Sequence, residues 1–312
     1  MKKLLVALLV IAAVGFGAVA QAAAPAAPTV AWSGYVSTGL TVGSDDSIVF
    51  KNLPNSGKTF RARITGVVAD GNFGARFRFQ ETSFTGLDLT QSLVYGTFFN
   101  NMLKFKLGLL DDYTWATYWN AYGTFDGQKG AQLILMPVTG LSLGAFVPFT
   151  DVSSTASAAF KAADLGMAYS MDKLFDMVAG GSFFGATQSA YVGVDVTAID
   201  KLGFHVEANF ADLSTIAPVV DGDFSYDLAP LTVGLHTTDT LASTIAWMVD
   251  PYVSYALNDK VTVGGDFSYD NTNAYTATGY GTFTLSGNTT AKASAWYDGT
   301  NVFGNFSYDV SF

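Results

Sequence analysis

Cysteine is absent from all 312 residues, so no disulfide framework holds the fold and no N-terminal cysteine can carry a lipid anchor. Charge is sparse. Asp, Glu, Lys and Arg make up 13% of the chain, where soluble domains carry about 25%. Only two histidines occur, His205 and His236. Catalysis by general acid and base, or by an activated nucleophile, needs a histidine or acid placed beside its partner. His205 shares a polar face with Glu207, but strand alternation alone produces that spacing, and no nucleophile motif accompanies it. The chain therefore does not read as an enzyme. No histidine cluster or spaced aspartate loop suits a metal, and the glycine turns open no helix that could cradle a phosphate, so no cofactor is expected.

Long apolar runs are missing too, beyond the first residues. The opening "MKKLLVALLVIAAVGFGAVAQA" has a basic start, an apolar stretch and small residues for cleavage. Residues 1–22 read as a secretory signal peptide, cut between residues 20 and 24, leaving 23–312 as a single domain. After it, no segment supplies the ~20 apolar residues that a spanning helix needs. The nearest, 131–149, is cut by Pro137 and by Thr139–Gly140.

What is present is apolar and aromatic: 49% hydrophobic residues, 14% aromatic residues and 32 glycines. Such a chain is too apolar for water and cannot cross lipid as helices. A closed β-barrel solves both problems, because every backbone group is paired and no edge remains.

Alternation supports that reading along the whole chain. "LKFKLGL" (103–109) sets Leu103, Phe105, Leu107 and Leu109 against Lys104, Lys106 and Gly108. Residues 60–68, 73–80, 204–210 and 261–270 behave alike, and the tail "NVFGNFSYDVSF" ends such a strand on Phe312. Short turns, as at 70–72, 139–140 and 258–259, alternate with mostly longer links. The pattern predicts an all-β, transmembrane, antiparallel up-and-down barrel of about 16–18 strands. "DFSYDL", "DFSYDN" and "NFSYDV" recur at 223, 266 and 305; Phe and Tyr two apart suit an interfacial aromatic girdle.

All four arginines fall in one stretch: Arg61, Arg63, Arg76 and Arg78, on the polar face of two adjacent strands. Lys104 and Lys106 extend this basic ladder two strands on. The third outer loop, 110–130, follows. Trp115, Tyr118, Trp119 and Tyr122 are spaced as one face of a helical turn, with Asp111 and Asp112 placed to cap it. Such a stripe needs cover, so the loop is expected to fold back into the barrel; the alternative is an aromatic loop in the lipid headgroup layer or at a subunit contact. Without Lys2 and Lys3 the net charge of −10 becomes −12, which disfavours nucleic acid as a partner.

With these features the chain resembles the bacterial outer-membrane porins. The resemblance implies an inward-folded third loop that narrows the pore, with its carboxylates facing a basic wall. Arg61, Arg63, Arg76, Arg78, Lys104 and Lys106 fit that wall; Asp111, Asp112 and Asp126 fit the loop side. The family's "PEFGG"-type loop motif is absent. The resemblance further implies an outer-membrane location, a terminal Phe312 read by the barrel-assembly machinery, a homotrimer, and passive diffusion of ions and small hydrophilic solutes. A substrate-specific, sugar-type channel is the alternative, since the loop aromatics could line a sugar path. A structural or adhesin barrel is the other, although most loops are short for one.

Overall fold

Apolar–polar alternation becomes nineteen β-strands in the computed structural model, which describes residues 29–312 except 46, 50–59, 71, 83–85, 111, 120–121, 126, 150–155 and 243. The leader, residues 1–22, lies outside the described residues. The strands are β1 (Thr29–Gly43), β2 (Ile48–Val49), β3 (Phe60–Asp70), β4 (Phe73–Thr82), β5 (Leu87–Phe98), β6 (Leu103–Leu109) and β7 (Lys129–Leu135). Next come β8 (Leu141–Pro148), β9 (Asp164–Met171), β10 (Phe175–Ser182), β11 (Ala190–Val196), β12 (Leu202–Phe210) and β13 (Val219–Asp227). Last are β14 (Leu231–Thr240), β15 (Ala246–Ala256), β16 (Val261–Asp270), β17 (Tyr275–Ser286), β18 (Thr289–Tyr297) and β19 (Val302–Ser311). A six-residue helix, α1 (Ala156–Lys161), sits in one link, and no described helix is long and apolar enough to cross a membrane.

Each strand pairs antiparallel with its sequence neighbour, except that β2 pairs only with the tip of β1 and β3 bonds to β1 directly. The last strand returns to the first. β19 pairs with β1 from Tyr35↔Ser311 to Gly43↔Phe303. The seam is finished by Gly34 N to Phe312 O (2.8 Å) and Phe312 N to Gly34 O (2.9 Å). Eighteen strands thus close a ring that leaves no ladder open, as lipid requires.

Connections at one end are short: 71–72, 99–102, 136–140, 172–174, 197–201, 228–230, 257–260 and 287–288. Those at the other end include the longest, 44–59, 110–128 and 149–163, and shrink to four residues at 298–301. The sequence pattern is weakest at one hairpin, β9–β10, with its turn at 172–174 and the link 183–189. Its inward face carries Gly166, Ala168, Val178 and Gly180, which erase the polar contrast that alternation needs.

Opposed residues share a face, so the register sorts every strand side chain. One face carries Trp32, Val94, Leu107, Phe224, Phe267 and Phe306, all between 40% and 61% exposed. Apolar groups exposed in this number are what a lipid-facing surface presents. The three repeats obey the same rule: Phe224, Phe267 and Phe306 point out, while Asp223, Asp266 and Asn305 share the inner face. The inner face is polar except in one sector. There Leu93, Ile134 and Phe146 join Leu110, Trp115 and Phe125 in a buried cluster, a hydrophobic core lying inside the ring.

Candidate pore constriction

The third loop, 110–128, is built on that inner core. Its neck is closed by Leu110 N to Gln128 O (2.8 Å) and Gly127 N to Leu110 O (2.9 Å). Asp112, only 2% exposed, anchors the first turn. Its Oδ1 accepts from Thr114 N (2.9 Å) and Gln132 Nε2 (2.8 Å), and its Oδ2 pairs with Lys106 Nζ. Asp112 therefore stands against a cation of its own wall, not across the lumen from one. Asp111 and Asp126 lie outside the described residues.

Trp115 is fully buried. Its indole lies on Gly144 of β8 and Gly166 of β9, where any added Cβ would collide with the ring. Phe125 packs edge-on to it (6.0 Å between centroids) and stacks on Phe146 (4.3 Å). Neighbouring strands carry glycine here because the indole takes the volume a side chain would fill.

Further along, Thr117 Oγ1 donates to Glu207 Oε1 of β12 (3.3 Å). Tyr118 lies on the His205 ring at 4.5 Å. Trp119 meets His205 edge-on and His236 obliquely, each at 4.8 Å. Burial raises the Tyr122 phenol above its ordinary value; the Asp221 and Glu207 charges add to this, and a hydrogen bond with Asn209 opposes it. Since these partners occupy inward positions, the loop follows the inner wall from β6 round to β14.

The expected helical turn does not form. Residues 112–119 make two successive turns without helix, and Thr117 N bonds Tyr122 O (3.0 Å) while Phe125 N bonds Asp112 O (2.9 Å). The Asp112 carboxylate captures Thr114 N, and the aromatics reach different strands, Trp115 lying on Gly144 and Gly166 while Tyr118 and Trp119 meet His205, so the spacing marks no common stripe.

The basic ladder shares one inner sector. Arg63 Nε donates to Gln80 Oε1 (2.9 Å), and its guanidinium lies 5.3 Å from the Tyr35 ring centroid. Arg78, 4% exposed, donates from Nε to Thr90 Oγ1 (2.8 Å). Arg76, Lys104 and Lys106 occupy inward register positions, and Arg61 holds the position opposite Ser37. Phe312, 61% exposed, lays its ring against Gly34 on the outer face.

An opposing sector was not foreseen. Asp164, Asp176, Asp195, Glu207, Asp221, Asp223, Asp250 and Asp266 all fall on inward positions of β9–β16. Asp176, Asp195, His205, Asp223, His236 and Asp250 form one continuous row across six strands. The same alternation that exposed the arginines carries this signal, one or two acids per strand. No described group of three His, Asp or Glu is arranged to hold a metal ion.

Solved structures match this architecture. A triple mutant of the Rhodopseudomonas blastica porin aligns at TM-score 0.57 and 15% identity, covering 91% of this chain and 100% of its own. The chain has the porin fold. A structure described as showing asymmetric conductivity of engineered proteins aligns at TM-score 0.58 and 16% identity over the same shares. A further substituted form of the Rhodopseudomonas blastica porin gives TM-score 0.57 at 15% identity. No protein-family model matches the sequence, and no curated protein matches it. At such identities the porin likeness is one of fold, carried by ring closure and not by shared side chains.

Proposed function

We propose that the chain forms a water-filled outer-membrane channel for passive diffusion of ions and small hydrophilic solutes. The observation that carries this reading is a closed ring of eighteen strands, apolar outside and charged inside, with a loop lying against its inner wall. A barrel of this strand number leaves an aqueous lumen unless it is plugged.

Selectivity follows from the two charged sectors. Arg61, Arg63, Arg76, Arg78, Lys104 and Lys106 stand on one side, and the carboxylates of β9–β16 on the other. Asp112, bonded to Lys106, trims the basic side instead of opposing it. Two unit charges about 10 Å apart interact by roughly 0.4 kcal/mol in bulk water and 1.7 kcal/mol at an effective dielectric of about 20. A wall charge thus attracts or repels a passing ion at that range by an amount comparable to thermal energy. Larger fields would trap solutes, whereas diffusion needs weak, repeated contacts. The reading assigns Asp111 and Asp126 to the loop side of the constriction. No group transfer or energy input is required, and the reading assigns no enzymatic role. It assigns Phe312 as the signal for the barrel-assembly machinery and a homotrimer as the assembled form.

Planar bilayers test it. Purified protein should produce discrete, ohmic conductance steps in salt. Folded protein that inserts without such steps would refute a channel. One observation favours the narrower, sugar-type channel: Tyr118 is 60% exposed, an aromatic surface open to solutes. Saturable block of the ionic current by an uncharged oligosaccharide would establish it.

A further inference from the structure

The inner wall below the loop holds a cavity of about 350 Å³ whose lining includes Tyr118, Asp195, Asp200, Lys201, His205 and Asp223. We infer that it binds a small guanidinium-bearing solute, an assignment that rests on the channel reading above. Three observations converge on that chemistry.

Charge comes first. Three carboxylates face a single ammonium, so the lining carries two negative charges in excess. Second, the lining is rich in acceptors: its three carboxylates accept hydrogen bonds, and Lys201 is its single charged donor. His205 is 4% exposed, and its Nε2 lies 3.0 Å from Glu207 Oε2. Nδ1 is the ring nitrogen left over from this contact. That Nδ1 has no hydrogen-bond partner among the described residues. A guanidinium, which has five N–H donors and no acceptor, complements such a lining. Third, Tyr118 rests one face on His205, yet the residue stays 60% exposed, which leaves ring surface for a flat cation.

Register supplies the spacing. Asp195 and Asp223 flank His205 on the two adjacent strands, so their backbones stand about 10 Å apart, two strand spacings of about 4.8 Å. No described group of three His, Asp or Glu here is arranged to hold a metal ion. A planar guanidinium stacked on Tyr118 can donate toward either carboxylate from its edges.

Single-channel recording tests the site with three probes added at the short-turn side: arginine amide, lysine amide and citrulline amide. The first two carry equal charge. Arginine amide should interrupt the current at a concentration at least about tenfold below lysine amide, and citrulline amide should be weaker than both. Asp195→Asn together with Asp223→Asn should weaken block by arginine amide about tenfold or more, and Tyr118→Leu about three- to fivefold. Equal block by arginine and lysine amides would overturn the guanidinium assignment and leave only diffuse attraction. An ohmic channel that arginine amide never interrupts would overturn the site while the channel reading stands. Should no conductance appear, that reading fails, and calorimetry on the detergent-folded barrel decides the site separately. Absence of heat with arginine amide would then overturn it.

Discussion

Replacing Trp115 by alanine should release the third loop from the inner wall. The indole is fully buried between Phe125 and the glycine bed of Gly144 and Gly166. A buried tryptophan removes about 150–250 Å² from water, which at about 25 cal/mol/Å² amounts to roughly 4–6 kcal/mol. Ordering of the loop offsets part of this, and core Trp→Ala changes cost about 3–5 kcal/mol in practice. The remaining anchors are polar: Asp112 with Gln132 and Lys106, and Thr117 with Glu207. Such bonds contribute about 0.5–1.5 kcal/mol each, or 1.5–3 where charged. Losing Trp115 therefore removes the largest single tether, and detached loops should become visible as open-channel noise and a larger mean conductance in bilayers. The barrel itself should persist, since no ladder bond involves the indole, and heat-resistant migration in detergent gel electrophoresis checks this. Gly166→Val is a second route, evicting the ring without altering the loop. A folded Trp115→Ala barrel with unchanged conductance and noise would refute the tether argument.

Replacing Arg61, Arg63, Arg76 and Arg78 together by glutamine should shift permeability toward cations, most in dilute salt, where screening is least; reversal potentials measure the shift. Lys106→Met leaves Asp112 buried without its cation, which should loosen the loop by about 3–5 kcal/mol and reproduce the noise of the tryptophan variant. Asp112→Asn, which keeps an acceptor for Thr114 and Gln132, should do less, and the same recordings rank the two. Deleting Phe312 should lower the amount of barrel recovered in cell outer membranes, measured by fractionation, with no change in the conductance of the molecules that insert.

Where each strand carries its own contrast, the fold could be read from the sequence: β6, β12, β16 and β19 alternate plainly, and the expected 16–18 strands include the closed ring of eighteen. The basic ladder was equally legible, because its arginines lie close together in sequence. The acidic sector was not. Its members come from seven strands and are brought together only through the register, which ring closure sets. The loop misled for a related reason. Helical spacing assumes that Trp115, Tyr118 and Trp119 share one local surface, whereas Trp115 lies on Gly166 of β9 and the other two rings lie on His205 and His236 of β12 and β14. Those partners are far away in sequence, so no local window contains the information. The inward-facing Leu93, Ile134 and Phe146 were a readable clue, since apolar side chains on a lumen wall need something to cover them.

The seam between β1 and β19 joins the two ends of the described chain through nine register pairs, besides the Gly34–Phe312 bonds. In lipid each unpaired backbone group costs several kcal/mol, so unzipping this one line alone would cost tens of kcal/mol. On the outer-membrane reading proposed above, no intermediate with the seam apart can linger in the bilayer. Assembly must hold both edges shielded until Phe312 reaches Gly34, and opening must coincide with departure from the membrane. The barrel is thus a binary object, kinetically trapped by its last hydrogen bonds.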